Sequence, residues 1–551
     1  MTTEAVNDAF GNANAGEASA DAMHAGQTGQ ASHAGRGGLA VFTAKAFFLA
    51  TGLVQQALFP LVTSQAAYGA LSRVLAISNV LNNVIVSSST QGVSRVVAAA
   101  GDREQQALRA TLRVHVAIAL FFAALLAIIS PFLAYFQHDK QLTAPLVVMS
   151  FVLGIYGVYA PLVGYLNGRG AFSRQAALDM MAATLRTLGL IGMGYAFVKY
   201  GGAVATRFGT SPAVLGATIG ATLAAAGVFT IALGWTKIGR ALEGPRPHSV
   251  PTARAYLALI VPVMVAQLFT NGLMQADILI VGRYLSLGAE NMNLANPSAA
   301  ANEWLAAYRS AQLFAFLPYQ MLFSVTQILF PMLARARVSE GKARVAELVH
   351  RGCRIGAIVC GMLVVVVLAM PEALIRFAYG AAMAKQGAPA LHYLALGQAA
   401  FAMFGLAATV LVSLGRERAA MAMTALVLAV LASACALVIP GAAFGASQLV
   451  AAACATTVAL GIGLALATYL LRRAVGAFVP ARTALRVGAC IGAAWAVGFY
   501  MPAFPRWLTP LVAVAIVIAY FGALLITGEI GKNDIAMVRS IVARRTHRIT
   551  H

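Results

Sequence analysis

The chain has 551 residues, 60% of them hydrophobic and 10% charged, with a mean hydropathy of +0.78. A soluble domain is about 45–50% apolar and about 25% charged, so this composition excludes a soluble enzyme, a secreted disulfide scaffold and a disordered regulator. The formal net charge of +21 would suggest nucleic acid for a soluble protein. In a membrane protein it reflects Lys and Arg gathered in cytosolic loops, and no nucleic-acid partner is expected.

Residues 1–37 are rich in Ala, Gly, Ser, Asn and Gln, with Arg36 their only Lys or Arg. They lack the basic start and apolar stretch of a secretory signal and read as a disordered cytosolic tail. Apolar stretches of spanning length, about 20 residues, then follow at 39–62, 68–92, 114–136, 144–166, 176–198, 212–236 and 256–281. Further ones lie at 304–333, 352–371, 391–414, 419–439, 447–471, 485–503 and 509–527. The expected fold is therefore an all-α polytopic membrane protein with about fourteen transmembrane helices.

With the N-terminus in the cytosol, the inner segments hold 28 Lys and Arg. The outer loops hold only Lys140, Lys199, Arg207, Arg283, Arg376, Lys385 and Arg506. That bias supports an even number of spans and a cytosolic C-terminus.

The chain also resembles itself. A shift of 236 residues lays span two on span eight, with Arg73 on Arg309, and Ser88, Thr90 and Gln91 on Ser324, Thr326 and Gln327. Parallel repeats of this kind are common in transporters. The expected organisation is 1–37 tail, 38–254 first lobe of six spans, 255–472 second lobe, 473–528 two added spans, and 529–551 a basic cytosolic tail.

No phosphate-binding loop, H-E-x-x-H, G-x-S-x-G or C-x-x-C occurs. No metal site, cofactor or enzymatic activity is expected, and Cys353, Cys360, Cys435, Cys454 and Cys490 read as small core fillers. Polar residues inside spans remain, and ionisable ones there are costly unless they face a cavity or a partner. Span one carries Lys45 and Gln56 on one helical stripe. Span two carries Arg73, Asn79 and Asn83. Span seven carries Gln267, Asn271 and Gln275 at steps of four, and span eight carries Arg309, Gln320 and Gln327. Span five carries Arg186, about 15 Å deep at 1.5 Å per residue.

One reading is a water-filled cationic cleft between two lobes, with Lys45, Arg73, Arg186 and Arg309 facing the substrate and the amides lining it. In the other, the amides cement helix pairs and the outer arginines snorkel to headgroups. Asp277, near the outer end of span seven, is a candidate gate pairing with Arg73 or Arg309. A cationic cleft suits an anionic substrate, because Arg holds phosphate bidentately; in a membrane the obvious large one is a lipid-linked pyrophosphate.

Fourteen spans with polar spans one, two, seven and eight resemble the polysaccharide-transporter branch of the multidrug/oligosaccharidyl-lipid/polysaccharide (MOP) flippase superfamily. The local stretches are Thr90-Gln91-Gly92, the run from Gln275 through Asp277 and Gly282 to Tyr284, and Gly415-Arg416. The resemblance implies a V-shaped bundle working by alternating access in the inner membrane. It implies flipping of undecaprenyl-pyrophosphate-linked sugars, as in Wzx-type flippases, by a monomer in contact with membrane lipids. Polysaccharide polymerase and glycosyltransferases would be its partners. The alternatives are a lipid II flippase, whose first span usually carries several arginines where this one has Lys45, and a drug or metabolite antiporter of the same superfamily. Outside that class stand a polymer-export subunit and a membrane glycosyltransferase.

Overall fold

In the computed structural model, residues 43–531 are described apart from Lys45, Leu49, 237–251, Glu340 and Ala503. The expected tail at 1–37 and most of the basic C-terminal tail lie outside them. The described residues are helical, without strands.

The first half comprises α1 (Ala46–Val62), α2 (Gln65–Ala100), α3 (Glu104–Phe136), α4 (Thr143–Gly168), α5 (Phe172–Tyr200), the short α6 (Gly202–Arg207) and α7 (Pro212–Thr236). Next come α8 (Ala253–Asn291), α9 (Pro297–Ala315), α10 (Leu317–Ser339), α11 (Gly341–Ala369), α12 (Pro371–Tyr379) and α13 (Ala381–Ser413). The last four are α14 (Glu417–Val438), α15 (Ala446–Val475), α16 (Ala481–Tyr500) and α17 (Thr509–Ile526).

Among the described residues, 12 helices are long and apolar enough to cross a membrane. They coincide with spans two to seven and nine to fourteen. Span one corresponds to the shorter α1. Span eight is broken: α9 ends at Ala315 and α10 starts at Leu317. Pro318 explains the break, because proline has no N–H to donate and its ring crowds the carbonyl four residues back, here that of Phe314. The protein is a polytopic all-α membrane protein, and Phe121, Ile128, Leu188 and Ile518 are among the large apolar side chains left exposed on its surface.

Side-chain caps set several helix starts. Ser64 accepts from the Ala67 N–H, Thr252 from that of Ala255, and Asn296 from that of Ala299, with Pro297 in the first turn. Helices α2, α3, α4, α5 and α7 pack among themselves, and α8 to α15 form a second group, with α16 and α17 seated on α11. The groups meet where α2 runs along α8 and α9.

Glycines set the closest approaches. A Cβ on Gly220 would lie 2.0 Å from the Gly189 carbonyl oxygen, and one on Gly216 would lie 2.3 Å from that of Met193. The Gly216-x-x-x-Gly220 pattern thus brings α7 against α5 within the chain. Gly488 and Gly492, which show the same spacing, have nothing within 4 Å.

Just after the last helix, Glu529 gathers α11, α16 and the segment after α17. It accepts from Arg354 Nε at 2.9 Å, Arg486 Nη1 at 2.9 Å and Thr483 Oγ1 at 2.6 Å. Burial pushes its carboxyl group upward, but these donors outweigh that and hold it below the usual carboxylate range. The five cysteines are free: three are buried and two half-buried. No cluster of potential metal ligands occurs among the described residues.

Candidate functional site

A cavity of about 160 Å³ lies between α1, α2, α5 and α9. Its lining follows from helical spacing. Phe48, Thr51, Gly52, Gln55, Gln56 and Phe59 form one stripe of α1, and Tyr68, Leu71, Ser72, Leu75 and Asn79 form one of α2. Helix α5 adds Ala183, Arg186 and Thr187, and α9 adds Arg309. A second void of about 20 Å³, the room of one water, shares Leu75, Asn79 and Arg186 with the first and adds Asn82 and Tyr156.

Among the described residues, no carboxylate lines either space. Among the described residues, Arg186 forms no hydrogen bond or ion pair, and Tyr156 lies within electrostatic reach of both Arg186 and Asp179. Arg309 donates to Gln312 Oε1 at 2.5 Å and stands beside the Tyr68 hydroxyl. Tyr68 in turn donates to Gln56 Oε1 at 3.3 Å, meets the Tyr379 hydroxyl at 3.4 Å and stacks on the Tyr379 ring. The cavity thus presents two guanidinium groups in a wall of amides, hydroxyls and aromatic rings, a donor set matched to phosphate oxygens. Pockets for drug-sized ligands are about 300–1,000 Å³, so this conformation admits waters or a small anionic group, and a sugar chain requires the walls to part.

The structure therefore brings Gln56, Asn79, Arg186 and Arg309 together. Lys45 lies outside the described residues. Arg73 does not reach the cavity. It is 0% exposed, donates to Ser286 Oγ at 2.9 Å and to the Gln137 carbonyl at 3.3 Å, and lies 3.8 Å from Asp139 Oδ2. Arg309, which the 236-residue shift lays on Arg73, lines the cavity, so the two arginines have different surroundings.

Asn83, Asn271 and Gln267 sit on the seam between the helix groups. Asn83 Nδ2 donates to Asn271 Oδ1 at 2.8 Å, and Asn271 Nδ2 donates to the Gln267 carbonyl at 2.8 Å. These amides cement α2 to α8. Gln275 Oε1 and Gln320 Oε1 are buried without a hydrogen-bond partner among the described residues. Gln327 falls in α10, its side chain outside the described part.

Asp277 is buried and pairs directly with neither arginine. It accepts from Tyr308 Oη at 3.1 Å, from Gln312 Nε2 at 3.0 and 3.1 Å, and from the Ile278 N–H at 2.8 Å. Gln312 thus links it to Arg309. Sequence reasoning missed Gln55, Tyr68, Thr187, Gln312 and Tyr379. Tyr68 was within reach, since Tyr68, Ser72 and Asn79 share a stripe, and Gln312 stands one turn after Arg309.

The chain matches the profile of the family described as polysaccharide biosynthesis protein over residues 62–385. No curated protein matches it significantly. Among solved structures it resembles the lipid II flippase MurJ in an inward closed conformation, at 13% identity and a TM-score of 0.67, covering 91% of this chain and 99% of that one. It also resembles an inward-facing multidrug resistance MATE family transporter of the MOP superfamily, at 14% identity and a TM-score of 0.54, covering 78% and 95%. A third similar structure is a MOP superfamily transporter from Pyrococcus furiosus whose binding pocket is described as having reverse polarity, at 13% identity and a TM-score of 0.52, covering 79% and 95%. At these identities the structures show a shared fold. The profile match spans more than half of the chain, which therefore belongs to the polysaccharide biosynthesis protein family and has the fold of MOP superfamily transporters.

Proposed function

We propose that this protein flips a lipid-linked oligosaccharide, an undecaprenyl-pyrophosphate sugar, from the cytosolic to the outer leaflet of the inner membrane by alternating access. The observation that carries the reading is the cavity holding Arg186 and Arg309 with no carboxylate among the described residues that line it. Guanidinium groups in a low-dielectric cleft favour a phosphate-bearing headgroup and disfavour the cations that an acidic cavity would take. The amides and hydroxyls beside them suit a sugar, while the lipid tail stays in the bilayer. The family match supports a place in polysaccharide production.

In this reading the two groups of helices are lobes that part around the cavity, both chain termini lie in the cytosol, and the protein works as a monomer. Glycosyltransferases would supply its substrate and a polymerase would consume it. The test is reconstitution into vesicles containing an undecaprenyl-pyrophosphate oligosaccharide, with leaflet-specific labelling of the sugar. Protein-dependent exchange of the labelled headgroup between leaflets supports the reading. Exchange no faster than in protein-free vesicles overturns it.

A further inference from the structure

The tip between α3 and α4, residues 136–142, belongs by chain order to the first group of helices, yet its polar contacts reach the second. Arg283 of α8 donates to the Phe136 carbonyl, its guanidinium lying 4.0 Å from the ring centroid. His138 Nδ1 lies 3.0 Å from Glu290 Oε2 near the end of α8. Asp139, 2% exposed, accepts from Ser298 Oγ and from Asn302 Nδ2 of α9, each at 2.8 Å. Arg73 of α2 supplies the counter-charge from the other side and ties to Ser286 of α8. Close by, α2 and α9 touch backbone to backbone: a Cβ on Gly69 would lie 1.8 Å from the Asn302 carbonyl oxygen.

These contacts lie toward the end of the bundle where α2 and α9 begin: Gly69 and Arg73 stand level with Tyr68 and Ser72 on another face of α2, and Asn302 precedes Arg309 of the cavity wall by about two turns of α9. Desolvating a carboxylate and a guanidinium costs several kcal/mol per ion; Asp139 has its acceptor contacts in place, whereas Arg73 Nε and Nη2 are buried without a hydrogen-bond partner among the described residues, so the pair gains from water once the helices part. Two of Asp139's acceptor contacts come from α9, so moving α9 away removes both at once and lets water reach the ion pair. The arrangement has two favourable states, sealed and dry or parted and hydrated, with little between them.

We propose that this tip is the outer latch of the transport cycle, and that Asp139 is the group whose desolvated contacts with Arg73, Ser298 and Asn302 hold the outer end shut. The proposal rests on the alternating-access reading above. It assigns the latch to a loop carboxylate, whereas Asp277 is held inside the second group by Tyr308 and Gln312.

The test reads opening, independently of lipid transfer. A cysteine introduced at Ser72 in the cavity wall is labelled with a membrane-impermeant maleimide from outside intact cells, against the parent chain as background. Asp139→Asn is expected to raise the labelling rate at least fivefold. Ser298→Ala with Asn302→Ala, which leaves the ion pair intact, is expected to raise it by a smaller factor.

A second variant avoids the buried pair. Cysteines at the half-buried position His138 and the exposed position Glu290, joined by a short bifunctional crosslinker with a cleavable disulfide, are expected to stop labelling at position 72, and reduction to restore it. Unchanged labelling in the folded Asp139→Asn protein, or labelling that continues in the crosslinked one, overturns the latch. Labelling that follows these expectations in a protein that carries no lipid-linked sugar leaves the latch standing and removes only the substrate.

Discussion

Asn83 of α2 and Asn271 of α8 share a hydrogen bond of 2.8 Å on the seam between the two groups of helices. Toward one end of that seam, Gly92 lets Tyr256 and Ile260 of α8 approach α2, and His115 of α3 meets the Tyr256 hydroxyl at 2.6 Å. Toward the other, Arg73 reaches Ser286. The seam is closed along its length, while the cavity lies on the side of α1 and α9.

The Asn83–Asn271 bond predicts a split between stability and substrate binding. Interhelical hydrogen bonds in membrane proteins contribute about 0.6 kcal/mol on average. A double-mutant cycle on Asn83→Ala and Asn271→Ala should give a coupling of about that size in unfolding measurements in detergent. Affinity for a soluble pyrophosphate-sugar headgroup should stay unchanged, because neither amide lines the cavity. A large drop in affinity would return these amides to the cleft.

Gly220 should tolerate no side chain. A Cβ at this position would meet the Gly189 backbone at 2.0 Å, and a backbone oxygen cannot swing aside as a flexible side chain can. Gly220→Val should cost about 1–3 kcal/mol, the usual penalty for overpacking. Gly492→Ala should not destabilise and should gain about 0.4–1 kcal/mol, because it lies inside a helix with nothing within 4 Å of it. Thermal unfolding of the two purified variants checks the contrast.

Glu529 should make stability depend on pH on the acid side. Its folded-state carboxyl group is held low by Thr483, Arg354 and Arg486, while in the unfolded chain it titrates near about 4.3. The folded state therefore gains stability from it above that value and loses this as pH falls toward the lower folded one. Breaking a buried pair costs about 3–5 kcal/mol. The partner arginines are 29% and 30% exposed and regain water, so Glu529→Gln should cost nearer about 2 kcal/mol. Melting curves across pH should show a shallower acid limb in that variant than in the parent.

Much of the fold was legible because a membrane span is written in one long apolar run. The break in span eight was less visible: Pro318 marks it, but proline also occurs in unbroken membrane helices, as Pro161 and Pro262 do here. The cavity was legible where periodicity sufficed, at Gln56, Asn79, Arg186 and Arg309. It was not at Arg73, because its partner Asp139 lies in a loop 66 positions away, and nothing in the spacing says which of two polar neighbours an arginine meets. The same limit applies to Asp277, whose partners Tyr308 and Gln312 come from the next helix. Asn83 and Asn271 fit the stripe pattern of a wet face and still serve as cement, because a hydrogen bond between helices and a water-lined wall require the same residue types.

The central claim is that Arg186 and Arg309 hold a phosphate-bearing headgroup in the cavity. The most direct measurement is leaflet exchange of an undecaprenyl-pyrophosphate oligosaccharide in vesicles containing the parent chain, Arg186→Ala or Arg309→Ala, with equal amounts of folded protein. A hydrogen bond to a charged group contributes about 1.5–3 kcal/mol, so each variant should exchange the lipid at least about tenfold more slowly. Exchange at the parent rate in both variants would contradict the account.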